Sequence, residues 1–172
     1  WRSSGLAAPV SAVRYEGLIA VAEHGKSRVI SLNKDGEVDS ILAEDLPAPT
    51  GLTVRDGQLF VSDRSLGKIL RIAQNGQRLS EPEIVAENLV SPEGFDFFGR
   101  KLVVIEADLG DVTMIDSSGD KSLLAKIPPG TQAASELQPP SQVFNGVAVD
   151  DNGNVYVPGE TNRALYKISN PF

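Results

Sequence analysis

Glu93 and Asn145 each stand directly before a glycine, where the parallel passages of the chain carry Val10 and Thr50. Carboxylate and amide oxygens are hard donors, the kind that holds Ca²⁺ or another divalent cation. A cation held there would polarise an ester or lactone carbonyl, or lower the pKa of a bound water. A second set of acids, Glu23, Asp63 and Glu106, closes an apolar run in three of the passages. One reading gives one of these acids the role of general base, or of a further oxygen donor. The competing reading is structural: an acid repeated in successive passages accepts hydrogen bonds from the backbone of the loop that follows it. His24, Arg64, Asp108, Glu160 and Asn162 lie in loops beside these acids and would form the rim of a binding mouth. His24 is the only histidine. Its neighbour Glu23 points the other way in an extended chain, so adjacency alone does not make the two a pair.

What must position these residues is a repeat of about forty residues. Leu6–Glu23, Leu46–Asp63 and Leu89–Glu106 align almost without gaps, each opening on Leu with Pro three residues later. Phe144–Lys167 keeps the plan but lacks the closing acid. Each copy reads strand–turn–strand–strand. First strands are expected around Ala12–Arg14, Leu52–Val54, Phe95–Phe97 and Val147–Val149. Second strands fall at Leu18–Ala22, Gln58–Ser62, Lys101–Ile105 and Asn154–Val157; third strands at Arg28–Leu32, Lys68–Ile72, Asp111–Ile115 and Ala164–Ile168. All are short and rich in Val, Ile and Leu. Fourth strands are legible at Ser40–Ala43, Ile84–Glu87 and Ser122–Lys126. Glycine-bearing pairs (Glu16-Gly17, Asp56-Gly57, Phe98-Gly99, Asn152-Gly153, and Asp35-Gly36, Asn75-Gly76, Ser118-Gly119) mark the hairpins, because tight turns need φ > 0.

A repeat of this length and order is the signature of a β-propeller blade. The expected fold is therefore all-β, a propeller of four-stranded antiparallel blades with four repeats, 6–45, 46–88, 89–140 and 141–172, in a single domain. Antiparallel alternation sends the starts of first strands and the ends of second strands to one shared opening, where the candidate residues would meet. The insertion Pro128–Gln142 leaves from that side and could act as a lid. Residues 1–5 sit where a fourth strand would end. They close the last blade in one reading; in the other Trp1 is a cut edge with upstream blades missing, and association with another chain would complete the ring.

Bulk composition narrows the function classes. A formal charge of −7 argues against a nucleic-acid partner and against an acidic membrane surface. No apolar run approaches the ~20 residues of a membrane span, and no targeting segment is visible, so a soluble chain of unspecified compartment is expected. The absence of cysteine excludes disulfides and thiolate chemistry. No Gly-x-Ser-x-Gly elbow, phosphate loop, His-Glu-x-x-His motif or Asn-x-Ser/Thr acceptor occurs.

The phrase Phe144-Asn145-Gly146-Val147-Ala148-Val149-Asp150-Asp151-Asn152-Gly153-Asn154-Val155-Tyr156-Val157 resembles the repeat shared by NHL proteins and the gluconolactonase-like (senescence marker protein) family. Pro49-Thr50-Gly51-Leu52 and Pro92-Glu93-Gly94-Phe95 are weaker copies. The resemblance implies a six-bladed propeller superfamily and a Ca²⁺ or Zn²⁺ held over the channel by Glu, Asn and Asp. Asn145 matches the Asn position and Glu93 could fill a carboxylate place, while no Asp occupies an equivalent first-strand position. Two functions follow as expectations: a divalent-metal-dependent hydrolase acting on a small lactone or ester, or a non-catalytic propeller binding a peptide, glycan or protein.

Overall fold

A computed structural model of the chain describes residues 2–127, 146–159 and 164–172. Trp1, the insertion Pro128–Gln142 and the candidates Asn145, Glu160 and Asn162 lie outside the described residues. The fold is all-β, built of β-propeller blades. The first sheet holds β1 (Pro9–Tyr15), β2 (Leu18–Glu23), β3 (Arg28–Leu32) and β4 (Val38–Ala43), with a 3-10 turn at His24–Lys26. The second holds β5 (Pro49–Arg55), β6 (Gln58–Asp63), β7 (Lys68–Gln74) and β8 (Gln77–Ala86). The third holds β9 (Pro92–Phe98), β10 (Lys101–Glu106), β11 (Asp111–Ile115) and β12 (Lys121–Lys126). In the fourth, β13 (Ala148–Val149), β14 (Val155–Gly159) and β15 (Ala164–Ile168) make three strands among the described residues. Every sheet is an antiparallel meander in chain order. The chain divides into two compact units, residues 1–89 with the first two sheets and residues 90–172 with the other two.

Turn chemistry fixes the registers. Glu16-Gly17, Asp56-Gly57 and Asn75-Gly76 have positive φ at both residues, the type I′ geometry that matches the twist of a two-residue hairpin. The third blade departs from the expected Phe98-Gly99 turn. Phe98 is still in β9 and pairs with Lys101, so the turn is Gly99-Arg100. Only its first residue has positive φ, which a β-former such as Phe98 could not have supplied. Three wider turns share another device. Asn33, Asp116 and Asp150 each accept, on one side-chain oxygen, the backbone N–H groups two and four residues ahead. That Asx geometry places Gly36, Gly119 and Gly153 in the left-handed region.

Within each unit, sheets stack through alternate residues. In residues 1–89, Ala20, Ala22 and Val29 share a core with Leu59, Val61, Leu70 and Ile72. In residues 90–172, Val103, Ile105 and Val112 share one with Val155 and Val157. Each large aliphatic side chain buried this way stabilises the fold by about 1.5–3 kcal/mol before ordering costs. An aromatic at the end of a first strand adds a clasp to the next blade. The Tyr15 hydroxyl donates to Gly57 O (3.3 Å) and accepts from Gly76 N (3.0 Å), bridging two turns. In the other unit the Phe98 ring comes to 3.1 Å from where a Cβ on Gly153 would sit, and it stacks on Phe172 at 4.6 Å.

Candidate functional site

The recurring acids are buried, with Glu23 and Asp63 at 0% exposure and Glu106 at 7%. Each closes its second strand and turns its carboxylate back onto the loop that precedes its blade. Glu23 accepts from Ala7 N (2.7 Å), Asp63 from Ala48 N (3.0 Å) and Glu106 from Val90 N (2.7 Å). The sequence led to the loop that follows; only Asp63 also bonds that way, to Leu66 N at 2.9 Å. The second oxygens of the others are engaged as well, by Arg28 Nε on Glu23 (2.5 Å) and by Thr113 Oγ1 on Glu106 (2.7 Å). The reversal has a geometric reason. A carboxylate at the end of β2, β6 or β10 lies beside the start of the paired first strand, since Pro9, Pro49 and Pro92 are the register partners of Glu23, Asp63 and Glu106.

Backbone bonds complete the arrangement. The residue after each acid donates to the preceding loop: His24 N to Ala8 O (3.1 Å), Arg64 N to Ala48 O (2.9 Å) and Ala107 N to Ser91 O (3.1 Å). Four residues after each acid come Ser27, Gly67 and Gly110, all left-handed at φ 51°, 63° and 67°. Their carbonyls accept Leu46 N, Leu89 N and Ile127 N, the residues through which the chain leaves each blade. Sequence reasoning passed over this girdle. Its trace was present in the fixed four-residue spacing from each acid to a Gly or Ser.

Glu93 sits in β9, second in the strand, at 1% exposure. Thr50 holds the corresponding place in β5, also at 1%, and its hydroxyl bonds Ser62 O and Oγ. A carboxylate thus lies buried in one blade where another carries a neutral hydroxyl. Among the described residues no group of three or more His, Asp or Glu side chains is placed to hold a metal.

The rim candidates fall on the loops after the acids. His24 is half-buried, in the 3-10 turn, and its Nδ1 is buried with no hydrogen-bond partner. Glu23 bonds Ala7 and Arg28 rather than this imidazole. Arg64 is half-buried, and Asp108 is exposed and accepts from Ser91 Oγ at 2.6 Å. Three residues beyond each acid the loops expose Lys26, Leu66 and Leu109, the leucines at 42% and 46%.

A family described as a β-propeller repeat matches residues 143–167. No curated protein matches the chain in sequence. Solved structures similar to it include a catalytically inactive variant of virginiamycin B lyase from Staphylococcus aureus with quinupristin (16% identity over 94% of this chain and 52% of that one, TM-score 0.61). A gluconolactonase from Xanthomonas campestris is similar at 18% identity over 88% of this chain and 58% of that one, TM-score 0.63. A chain of a nidogen–laminin complex is similar at 14% identity over 95% and 76%, TM-score 0.61. The chain spans between half and six-tenths of the length of the two enzymes. At these identities the likeness is one of fold: the chain is built as a β-propeller. No helix is long and apolar enough to cross a membrane among the described residues.

Proposed function

We propose that this chain is a binding module of the β-propeller type, engaging a protein or peptide partner through loops that follow second strands: those after β2 and β6 in residues 1–89, or the one after β10 in residues 90–172. One observation carries the reading. Each repeated acid is committed to latching its own blade, which leaves a loop braced at both ends that exposes Lys26, Leu66 or Leu109. Apolar side chains on a braced loop contact a partner without a large ordering cost, which is what makes preorganised contacts effective. His24, Arg64 and Asp108 would add polar contacts beside them. The nidogen–laminin likeness is compatible with such use of the fold. The test is selection from a displayed peptide library on the whole chain, followed by Leu66→Ser and Leu109→Ser. Each selected peptide should weaken about tenfold or more on one of the two variants, the scale of one lost apolar anchor. Peptides indifferent to both substitutions would sink the reading.

A second reading, a metal-dependent hydrolase of the gluconolactonase type, is favoured by Glu93, the buried acid where β5 carries Thr50. In it Glu93 and Asn145 would hold Ca²⁺ or another divalent cation, which supplies Lewis-acid polarisation of a lactone or ester carbonyl. Glu23, Asp63 or Glu106 would have to serve as base, against the bonds each already makes. A calcium-dependent rise in Tm, abolished by Glu93→Gln and by Asn145→Ala, together with lactone hydrolysis, supports this reading. Neither effect in the wild-type chain removes it.

A further inference from the structure

Two Asn-Gly pairs lie wholly among the described residues, Asn75-Gly76 and Asn152-Gly153, and the fold holds them differently. An asparagine before glycine is open to attack by the next backbone nitrogen, because glycine puts no Cβ in the path. At Asn75 the attack would join Gly76 N to the side-chain Cγ and break the Cγ–Nδ2 bond. Ammonia leaves, taking the proton of the Gly76 amide. Water then opens the cyclic imide. Opening at Cγ gives aspartate; opening at the Asn75 carbonyl carbon gives isoaspartate.

What decides the rate is how firmly each glycine nitrogen is kept from its neighbour's side chain. Asn75 and Gly76 form the two-residue turn between β7 and β8, with φ 47° and 79°, and the Asn75 side chain is exposed. Gly76 N–H donates to the Tyr15 hydroxyl (3.0 Å), a residue of the neighbouring sheet. Asn75 N donates to Gly57 O (2.7 Å), and Asn75 Oδ1 packs where a Cβ on Gly57 would stand. Asn152-Gly153 is secured from within its own turn. There Gly153 is buried, its N–H donates to Asp150 O (2.9 Å), and Asn152 N donates to Asp150 Oδ1 (3.0 Å). Phe98 comes to 3.1 Å from the Cβ position of Gly153. Freeing Gly153 N unwinds a turn wrapped on Asp150, whereas freeing Gly76 N needs release from one hydroxyl and a rotation about Asn75.

We propose that Asn75-Gly76 is a self-modification site, converting to aspartate and isoaspartate with water as the only reagent, and that Tyr15 gates its rate. Isoaspartate adds a carbon to the main chain, so the turn loses its type I′ geometry and Gln74 its pairing with Gln77. Either product also places a new carboxylate near Glu16, whose Oε1 lies 3.6 Å from the same Cβ position on Gly57. The reaction therefore loosens the clasp that joins the first two sheets. It does not depend on the loops that carry the partner reading.

The test is incubation of the whole chain at mildly alkaline pH and physiological temperature, then peptide mapping by mass spectrometry that separates aspartate from isoaspartate. Asn75 should convert about fivefold faster than Asn152 in the same sample, the scale of one hydrogen bond. Tyr15→Phe should raise the Asn75 rate by about fivefold again and leave Asn152 unchanged. Val61→Ala thins the core of the same two sheets without touching the Tyr15 hydroxyl. Its Asn75 rate should stay within about twofold of wild type, because the opening that matters is local. Equal rates at the two pairs overturn the proposal. So does a Tyr15→Phe chain that converts no faster than wild type, or an equal acceleration in Val61→Ala.

Discussion

Asp63 shows at the scale of one residue why an acid can recur without catalysing anything. Its two oxygens take Ala48 N and Leu66 N, so one buried side chain satisfies donors on both sides of its blade. Asp63→Ala leaves both N–H groups without acceptors and should cost about 2–4 kcal/mol in urea unfolding, with Asp63→Asn milder because it keeps one oxygen. Tyr15 makes a comparable bridge, and its ionisation reports on it. Burial pushes its pKa up, the Glu16 carboxylate adds to this, and the bond from Gly76 opposes it. The folded state thus holds the phenolic proton more tightly than the unfolded chain. Its contribution is complete below the ordinary tyrosine pKa of about 10 and is lost as pH rises through the higher folded value. Tyr15→Phe should cost about 1 kcal/mol at neutral pH and should flatten the alkaline fall in Tm.

At the scale of elements, the loops and turns impose backbone conformations as demanding as the strands. Gly67 lies at φ 63°, and a Cβ there would stand 2.5 Å from Leu89 O, the residue that donates to Gly67 O in return. Gly67→Ala should destabilise by about 2 kcal/mol or more, since left-handed strain and a backbone clash act together. Ser27→Gly, relieving a left-handed serine at the corresponding place, should be neutral or mildly stabilising on the same unfolding curve. The turn at Asp150 offers a pH test of opposite sign. The Asn154 side chain, then the Asn154 and Asn152 backbone and the Tyr156 hydroxyl hold its carboxyl below the usual range. This contribution is present above the unfolded carboxyl pKa of about 3.9 and disappears as pH falls through the lower folded value. Asp150→Ala should therefore lower Tm at neutral pH, with the gap to wild type narrowing on acidification.

For the molecule as a whole, charge sets colloidal behaviour more than fold. With net charge −7 and a sequence pI ≈ 4.7, light scattering should report least solubility near that pH and good dispersion at neutrality. Much of the architecture was legible beforehand. Every expected first, second and third strand lies within or against an observed one, because short Val/Ile/Leu runs between glycine turns admit few alternatives. β8 begins seven residues before its legible core at Ile84, since Gln77–Glu83 is polar and pairs only because β7 lies beside it. The direction in which Glu23, Asp63 and Glu106 bond was not legible, for a carboxylate's partner depends on which loop pairing brings near.

The sequence by itself determined the repeat, the strand order within each blade and the turns, because those depend on neighbours a few residues apart and on which residues tolerate positive φ. Only the tertiary structure decided that the repeated acids latch backwards and that the Tyr15 hydroxyl holds the Gly76 amide. Burial and hydrogen-bond choice are properties of what packs alongside, and that is set by contacts between segments far apart in the chain.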